Sequence, residues 1–171
     1  MVNLGNFLSN FSAVSTINVK GLKRGDSETA EAEMEINQIT EKIIGAAIKV
    51  HSALGPGLFE QVYKTCLFRE LQKQGLVVKQ EVILPVIYDN ELLELGYRLD
   101  LLVESELIIE LKAIERFTRV HRTQMLTYLK LSRKSVGLLI NFNSVPLTPG
   151  ILRIVRGYAG PKPSAVSVSP R

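Results

Sequence analysis

Two charged side chains stand two residues apart inside a segment that otherwise reads as a buried strand. Leu107-Ile108-Ile109-Glu110-Leu111-Lys112-Ala113 is aliphatic and β-branched apart from Glu110 and Lys112. Strand side chains alternate faces, so Glu110 and Lys112 point one way while Ile109 and Leu111 point the other. A carboxylate and an ammonium on a face that helices should cover incur a desolvation penalty unless they are paired or hold a ligand.

The flanking sequence supplies those helices. From Glu35 to Leu54, apolar residues at Ile36, Ile39, Ile43, Ala47 and Val50 follow helical spacing, and Leu54-Gly55-Pro56-Gly57 breaks the run. A second helix is expected from about Leu58 to Gln74, burying Phe59, Val62, Cys66 and Leu71, with Gly75 as its C-cap. Val77 to Tyr88 is β-patterned, and its Pro85 places it at an edge or a bulge. Asp89-Asn90 signals a turn. Gly96 to Val103 and Leu107 to Ala113 form the next two strands, and Glu115 to Leu131 a third helix. Ser135 to Phe142 is an apolar run expected of a strand covered on both faces, and Ile151 to Val155 is a last short strand. The order α-α-β-β-β-α-β-β predicts a mixed sheet flanked by helices.

Asp100, in Tyr97-Arg98-Leu99-Asp100-Leu101-Leu102-Val103, joins Glu110 and Lys112 only in one hairpin register. A two-residue loop at Ser105-Glu106 pairs Asp100 with Leu111 and turns it away. A three-residue loop, Glu104-Ser105-Glu106, pairs it with Glu110 and gathers all three groups. A one-residue slip flips every side chain, so the two outcomes are mutually exclusive. Two adjacent carboxylates repel, and a hard divalent cation resolves this by taking their oxygens. With one cysteine and two histidines in the chain, Mg²⁺ or Mn²⁺ suits the donors better than zinc. The alternative is a strand-face ion pair of Glu110 with Lys112, with Asp100 exposed.

The arrangement resembles the PD-(D/E)XK nuclease superfamily, whose core is α-β-β-β-α-β with Asp on one strand and (D/E)-x-K on the next. Within it the chain is similar to the bacterial GxxExxY family. The motif reads Gly57-Leu58-Phe59-Glu60-Gln61-Val62-Tyr63 and is preceded by His51-Ser52-Ala53-Leu54-Gly55-Pro56. YRLDLLVE, IIELKAI, HRTQMLTYLK and GLLINF follow in the family's order, and the resemblance spans about residues 35–158. Leu99 stands where the signature has Pro. The resemblance implies a restriction-endonuclease-like α+β core with an extra N-terminal helix. It also implies Asp100 and Glu110 as metal ligands, Lys112 as catalytic lysine and Glu60 as a further metal-site carboxylate. Gln124 and Tyr128 match a Gln-x-x-x-Tyr helix motif of some members; their i, i+4 spacing puts them on one face with His121. The implied activity is metal-dependent phosphodiester hydrolysis in DNA or RNA. A catalytically idle nucleic-acid-binding or accessory module on the same fold is the alternative.

Other singled-out residues have simpler readings. Gly57 serves the backbone at the helix start, and Tyr63 packs its ring with its hydroxyl at a polar edge. His51 and His121 read as hydrogen-bonded histidines, and Cys66 as a small buried apolar side chain. Residues 116–171 contain ten Lys or Arg and no Asp or Glu, while residues 1–115 carry 11 basic residues against 17 acids. Such one-sided charge suits a polyanion, and Arg116, Arg119 and Arg122 recur every three residues as a phosphate-tracking stripe. A solvated face is the equal alternative.

Residues 1–33 lack a sustained period and are expected to be a flexible extension, with Met34 as an internal start candidate. Residues 34–158 form the domain, and the Pro/Ser-rich 159–171 a flexible tail. No apolar run reaches the ~18 residues of a membrane span, and no signal peptide is evident, so a cytoplasmic protein is expected. A homodimer is weighed as the active unit, without a nameable interface.

Overall fold

The computed structural model describes residues 15–19, 26–89 and 91–157. The elements are β1 (Ser15–Val19), α1 (Asp26–Leu54), α2 (Glu60–Lys73), β2 (Val78–Tyr88) and β3 (Glu91–Val103). They continue with β4 (Leu107–Lys112), α3 (Arg119–Ser132), β5 (Val136–Asn141), a 3-10 turn at Thr148–Gly150 and β6 (Ile151–Arg156). One six-stranded sheet runs in the order β1-β6-β5-β4-β3-β2. β4–β5 and β1–β6 are parallel, and the other pairs are antiparallel. This is a mixed sheet flanked by helices, an α+β fold with a restriction-endonuclease-like core.

Alternation in β4 sends its side chains to two apolar layers. Leu107, Ile109 and Leu111 enter a core with Ile39, Ile43 and Ala47 of α1 and Tyr63, Leu67 and Leu71 of α2. Ile108 enters the opposite layer with Met125, Tyr128 and Leu129 of α3. β5 is buried at all six positions, as expected of a largely apolar run, with Asn141 its one polar member. Each fully buried Leu or Ile contributes about 1.5–3 kcal/mol, so these layers, rather than the few surface ion pairs, hold the sheet between its helices.

The hairpin register is the one that gathers the charges. Leu101 faces Ile109, Leu102 faces Ile108 and Val103 faces Leu107, leaving Glu104-Ser105-Glu106 as a three-residue loop. Glu104 and Ser105 take left-handed backbone, φ 51° and 57°, and the Glu106 N–H closes the turn onto Val103 O at 3.0 Å. β2 is one of the two edge strands of the sheet, and its pairing with β3 shifts between Leu84 and Val86, so Pro85 marks both an edge and a bulge. Gly96 is required there, because a Cβ would meet Leu84 O at 2.2 Å.

Several boundaries depart from the sequence-based expectation. Part of the expected extension is structured: residues 15–19 pair with β6, and α1 begins at Asp26, placing Met34 inside it. β1 is placed by backbone pairing, which leaves no periodic signature. The rest of the expected extension, residues 1–14 and 20–25, and the tail 159–171 lie outside the described residues. The expected burial of α2 is corrected. Phe59 is 86% exposed and Val62 is exposed, Cys66 is half-buried, and the inner face is Tyr63, Lys64, Leu67 and Leu71. Phe59 precedes the helix with extended backbone, φ −65° and ψ 144°, so it does not share the helix's packed face.

α3 starts at Arg119 rather than near Glu115. Thr118 precedes it in extended conformation and donates its N–H to His121 Nδ1 at 3.0 Å, the reciprocal half of a capping box. No helix among the described residues is long and apolar enough to cross a membrane.

Candidate active site

The phase of α2 decides what it presents to the sheet. The Tyr63 hydroxyl donates to Gly55 O at 2.7 Å and accepts the Leu58 N–H at 3.1 Å, tying the ring to the Gly55-Pro56-Gly57 turn. The ring stacks on Phe142 with centroids 4.4 Å apart. Gly57 adopts φ +93° and donates its N–H to Asn143 Oδ1, so the turn demands a glycine there. With Tyr63 inward, Glu60 and Lys64, three residues before it and one after, project toward the ends of β3 and β4.

Four of the sequence-derived residues meet there. Lys112 Nζ donates to Glu110 Oε1 at 2.7 Å and stands 3.9 Å from Glu60 Oε1. Asp100 Oδ2 accepts the Leu111 N–H at 2.9 Å, which pins Asp100 against the backbone of β4 between Glu110 and Lys112. Glu110 is 5% exposed, and its Oε2 is buried without a hydrogen-bond partner. Burial, reinforced by the negative charge of Asp100, pushes the Glu110 carboxyl up to about 7, against the opposing pull of Lys112. Glu60 is raised by burial, with Lys112 opposing and Asp100 adding. Burial alone would lower Lys112, but the contact with Glu110 and the surrounding carboxylates outweigh it and its ammonium is held above the usual range.

Gln124 and Tyr128 approach from α3. Gln124 Nε2 donates to Tyr128 Oη at 2.6 Å, and Tyr97 packs edge-on against Tyr128 with centroids 5.3 Å apart. Burial and the Glu110 charge push the Tyr128 hydroxyl up to about 12, which places that ring within the field of the carboxylates. His121, on the same helix, is taken up by the Thr118 cap. His51 differs from expectation: its Nε2 is buried without a hydrogen-bond partner, and its ring tilts against Phe142 at 6.3 Å. The three arginines do not form one helical stripe. Arg116 lies in the loop before α3, while Arg119 and Arg122 are on the helix; all are exposed, and none is ion-paired among the described residues.

Three further residues belong to this region. Lys64, 7% exposed, ion-pairs with Asp100 Oδ1 at 3.2 Å and with Glu81. Burial would lower its ammonium, yet Glu81 and Asp100 together hold it raised. Glu81 also ion-pairs with Arg98, Nε to Oε2 at 2.6 Å, and has left-handed backbone, φ 51°. The strands change face there: Leu101 packs with the α1/α2 layer and Leu99 with the α3 layer. Asn141 is the third: its side chain accepts the Ile114 N–H at 3.0 Å and donates to Ile114 O at 2.8 Å, anchoring the chain as it leaves β4. The Glu60–Lys64 spacing and the polar end of an apolar strand were signals for Lys64 and Asn141. Nothing in the sequence announces the backbone of Glu81.

The oxygen donors suit a hard cation, and the orphaned Glu110 Oε2 is an acceptor that such a cation would satisfy. As placed, however, no three His, Cys, Asp or Glu side chains among the described residues converge to hold one. Lys64 and Lys112 take the carboxylate oxygens instead.

Comparison with known proteins agrees with this architecture. A family model described as the PD-(D/E)XK nuclease superfamily matches residues 37–154. No curated protein and no solved structure matches the chain. The match is at the level of the superfamily; the narrower GxxExxY likeness of Gly57–Tyr63 stays a resemblance. Members of the superfamily are usually nucleases, generally use divalent metals and act on nucleic acid. With a match over most of its length and the α+β core to go with it, the chain belongs to the PD-(D/E)XK nuclease superfamily.

Proposed function

We propose that the chain is a metal-dependent phosphodiesterase acting on nucleic acid, with Asp100, Glu110 and Glu60 holding Mg²⁺ or Mn²⁺ and Lys112 as catalytic lysine. The observation that carries the reading is that Lys112 lies between Glu110 and Glu60 beside Asp100, while Glu110 keeps one carboxylate oxygen, Oε2, buried without a hydrogen-bond partner. Fold stability gives no reason to maintain such an atom, because an unsatisfied buried acceptor costs about 1–3 kcal/mol. A bound divalent ion supplies charge neutralisation at a phosphoryl group and acidifies water. Lys112, held by Glu110 and near Glu60, is placed to donate to a phosphoryl oxygen or orient the attacking water. Asp100 is kept in position by the Leu111 N–H. Gln124 and Tyr128 form a hydrogen-bonded wall beside Glu110, suited to contacting a phosphate. Arg116, Arg119 and Arg122 supply exposed positive charge for the backbone of the substrate.

One observation favours a second reading, an idle nucleic-acid-binding module. Both lysines already occupy the carboxylates, and among the described residues no three ligands converge. A cleavage assay on DNA and RNA panels with Mg²⁺ and Mn²⁺ tests the first reading, with Lys112→Ala and Asp100→Ala as controls checked for folding by circular dichroism. Loss of cleavage in both folded variants is expected; undiminished cleavage refutes the mechanism. Absence of Mg²⁺ or Mn²⁺ binding at millimolar concentration in calorimetry favours the idle module.

A further inference from the structure

Beside the candidate site, a groove is lined by Tyr97, Arg119, Val120, Thr123, Gln124 and Thr127. We infer that this groove seats single-stranded nucleic acid, with a base stacked on Tyr97 and the adjoining phosphates on Arg119 and its neighbours. The inference rests on the nuclease reading above for the chemistry of the site, and adds to it the strandedness of the substrate.

Three features of the groove lead there. First, it adjoins the carboxylates. Tyr97 packs on Tyr128, Tyr128 accepts from Gln124, and the Tyr128 hydroxyl feels the Glu110 charge. A strand lying in the groove therefore has the next link of its backbone at the site. Second, its charge is of one sign. The α3 segment Arg119–Ser132 carries no acid, and Arg116, Arg119 and Arg122 are exposed and without ion pairs among the described residues. Third, its lining is in part apolar and open to solvent: Tyr97 is 41% exposed and Val120 72% exposed.

The third feature selects the strandedness. Arginines alone attract duplex and single strand alike, because both present phosphates. A duplex keeps its base faces stacked inside, so an exposed ring beside an exposed Val gains nothing from it. A single strand offers each base face to such a ring, and stacking of that kind tolerates any base. The hydroxyls of Thr123 and Thr127 donate to the carbonyls of Arg119 and Thr123 at 3.0 and 3.1 Å. They thus present no array of free donors suited to reading base edges. Stacking on Tyr97 accordingly tolerates any base.

The test is fluorescence polarisation of the full-length protein in EDTA. The probes are a labelled 15-nucleotide oligothymidine and a labelled 15-base-pair duplex, and the variants are Tyr97→Ala, Tyr97→Phe and Val120→Glu. The wild type is expected to bind the single strand more tightly than the duplex. Tyr97→Ala should weaken single-strand binding by about 5- to 100-fold, with duplex binding changed less than about twofold, while Tyr97→Phe keeps the affinity within about twofold. Val120→Glu alters only an exposed position and places a carboxylate in the groove, so it should lose single-strand binding even if Tyr97→Ala fails to fold. Preference for the duplex, equal losses on both probes from Tyr97→Ala shown to be folded by circular dichroism, or unchanged single-strand binding in Val120→Glu overturns the inference. Because metal is absent, the outcome is separable from catalysis. Single-strand binding without cleavage under any metal retains this inference and removes the nuclease reading; cleavage without single-strand preference does the reverse.

Discussion

Glu110→Gln should make the metal-free protein more stable at pH 8, although it removes a side chain from the centre of the site. The carboxyl is pushed up to about 7 from an ordinary 4.5, chiefly by burial. At roughly 1.4 kcal/mol per unit, the ionised carboxylate costs the fold about 3 kcal/mol relative to the neutral acid. The folded protein takes up a proton that the unfolded chain binds only below about 4.5. The cost is therefore absent at pH 4.5 and below, grows as pH rises through the window from 4.5 to 7, and is full above about 7. Gln is the neutral isostere and can keep an oxygen for Lys112 Nζ. Its amide nitrogen in place of the orphaned Oε2 gives back about 1 kcal/mol. The net gain expected at pH 8 is about 2 kcal/mol; at pH 4.5, where the charge cost is gone, the amide penalty alone leaves the variant about 1 kcal/mol less stable than the wild type. Urea denaturation followed by far-ultraviolet circular dichroism in EDTA measures it at both pH values, and the chain has no Trp to offer a simpler probe. Added Mg²⁺ should stabilise the wild type and not the variant. If Glu110→Gln is no more stable than the wild type at pH 8, or its advantage is flat from pH 4.5 to 8, Glu110 is not the strained carboxylate described above.

Three other perturbations follow from the same geometry. Lys64→Met strands Asp100 and Glu81 without their shared cation and should cost about 2–4 kcal/mol in urea denaturation; Lys64→Met with Glu81→Gln should recover part of it. Tyr63→Phe keeps the stacked ring but removes the hydroxyl joining Gly55 O to the Leu58 N–H. It should cost about 1–2 kcal/mol and speed amide exchange at Leu58, readable by hydrogen–deuterium mass spectrometry. Gly57→Ala meets no steric obstacle, since nothing lies within 4 Å of its Cβ, so the expected loss of about 1–2 kcal/mol is purely the strain of φ +93°. A loss near zero in thermal denaturation would show that the turn relaxes.

What could be read from the sequence was what depends on alternation and local turn chemistry. Glu110 and Lys112 share a face because β4 alternates; counting the loop left two registers for Asp100, and the pairing of Leu101 with Ile109 takes the three-residue one. Pro85 announced an edge because a residue without an N–H cannot serve a central ladder. What could not be read depends on partners far away. β1 exists through backbone pairing with β6. The phase of α2 is set by the Tyr63 hydroxyl and the Gly55–Gly57 turn, so Phe59 and Val62, apolar and well spaced, face outward instead. The α3 boundary moved because the ring of His121 reaches back to Thr118, an unusual use of a histidine. Of the site, the acids and Lys112 were legible as a motif; Lys64, which holds Asp100 across the helix–sheet gap, became evident only once α2 was in place.

The irregular backbone of β2 bears on how copies of the protein coexist at high concentration. An open edge strand is a template for joining sheet to sheet between molecules. Along β2 the run of available hydrogen-bonding groups is interrupted twice, by the left-handed Glu81 and by Pro85 at the register shift. A neighbouring strand laid against it would meet groups out of step after a few residues. The same departures from regularity that turn Glu81 toward Lys64 thus also make the exposed margin of the sheet a poor seed for aggregation.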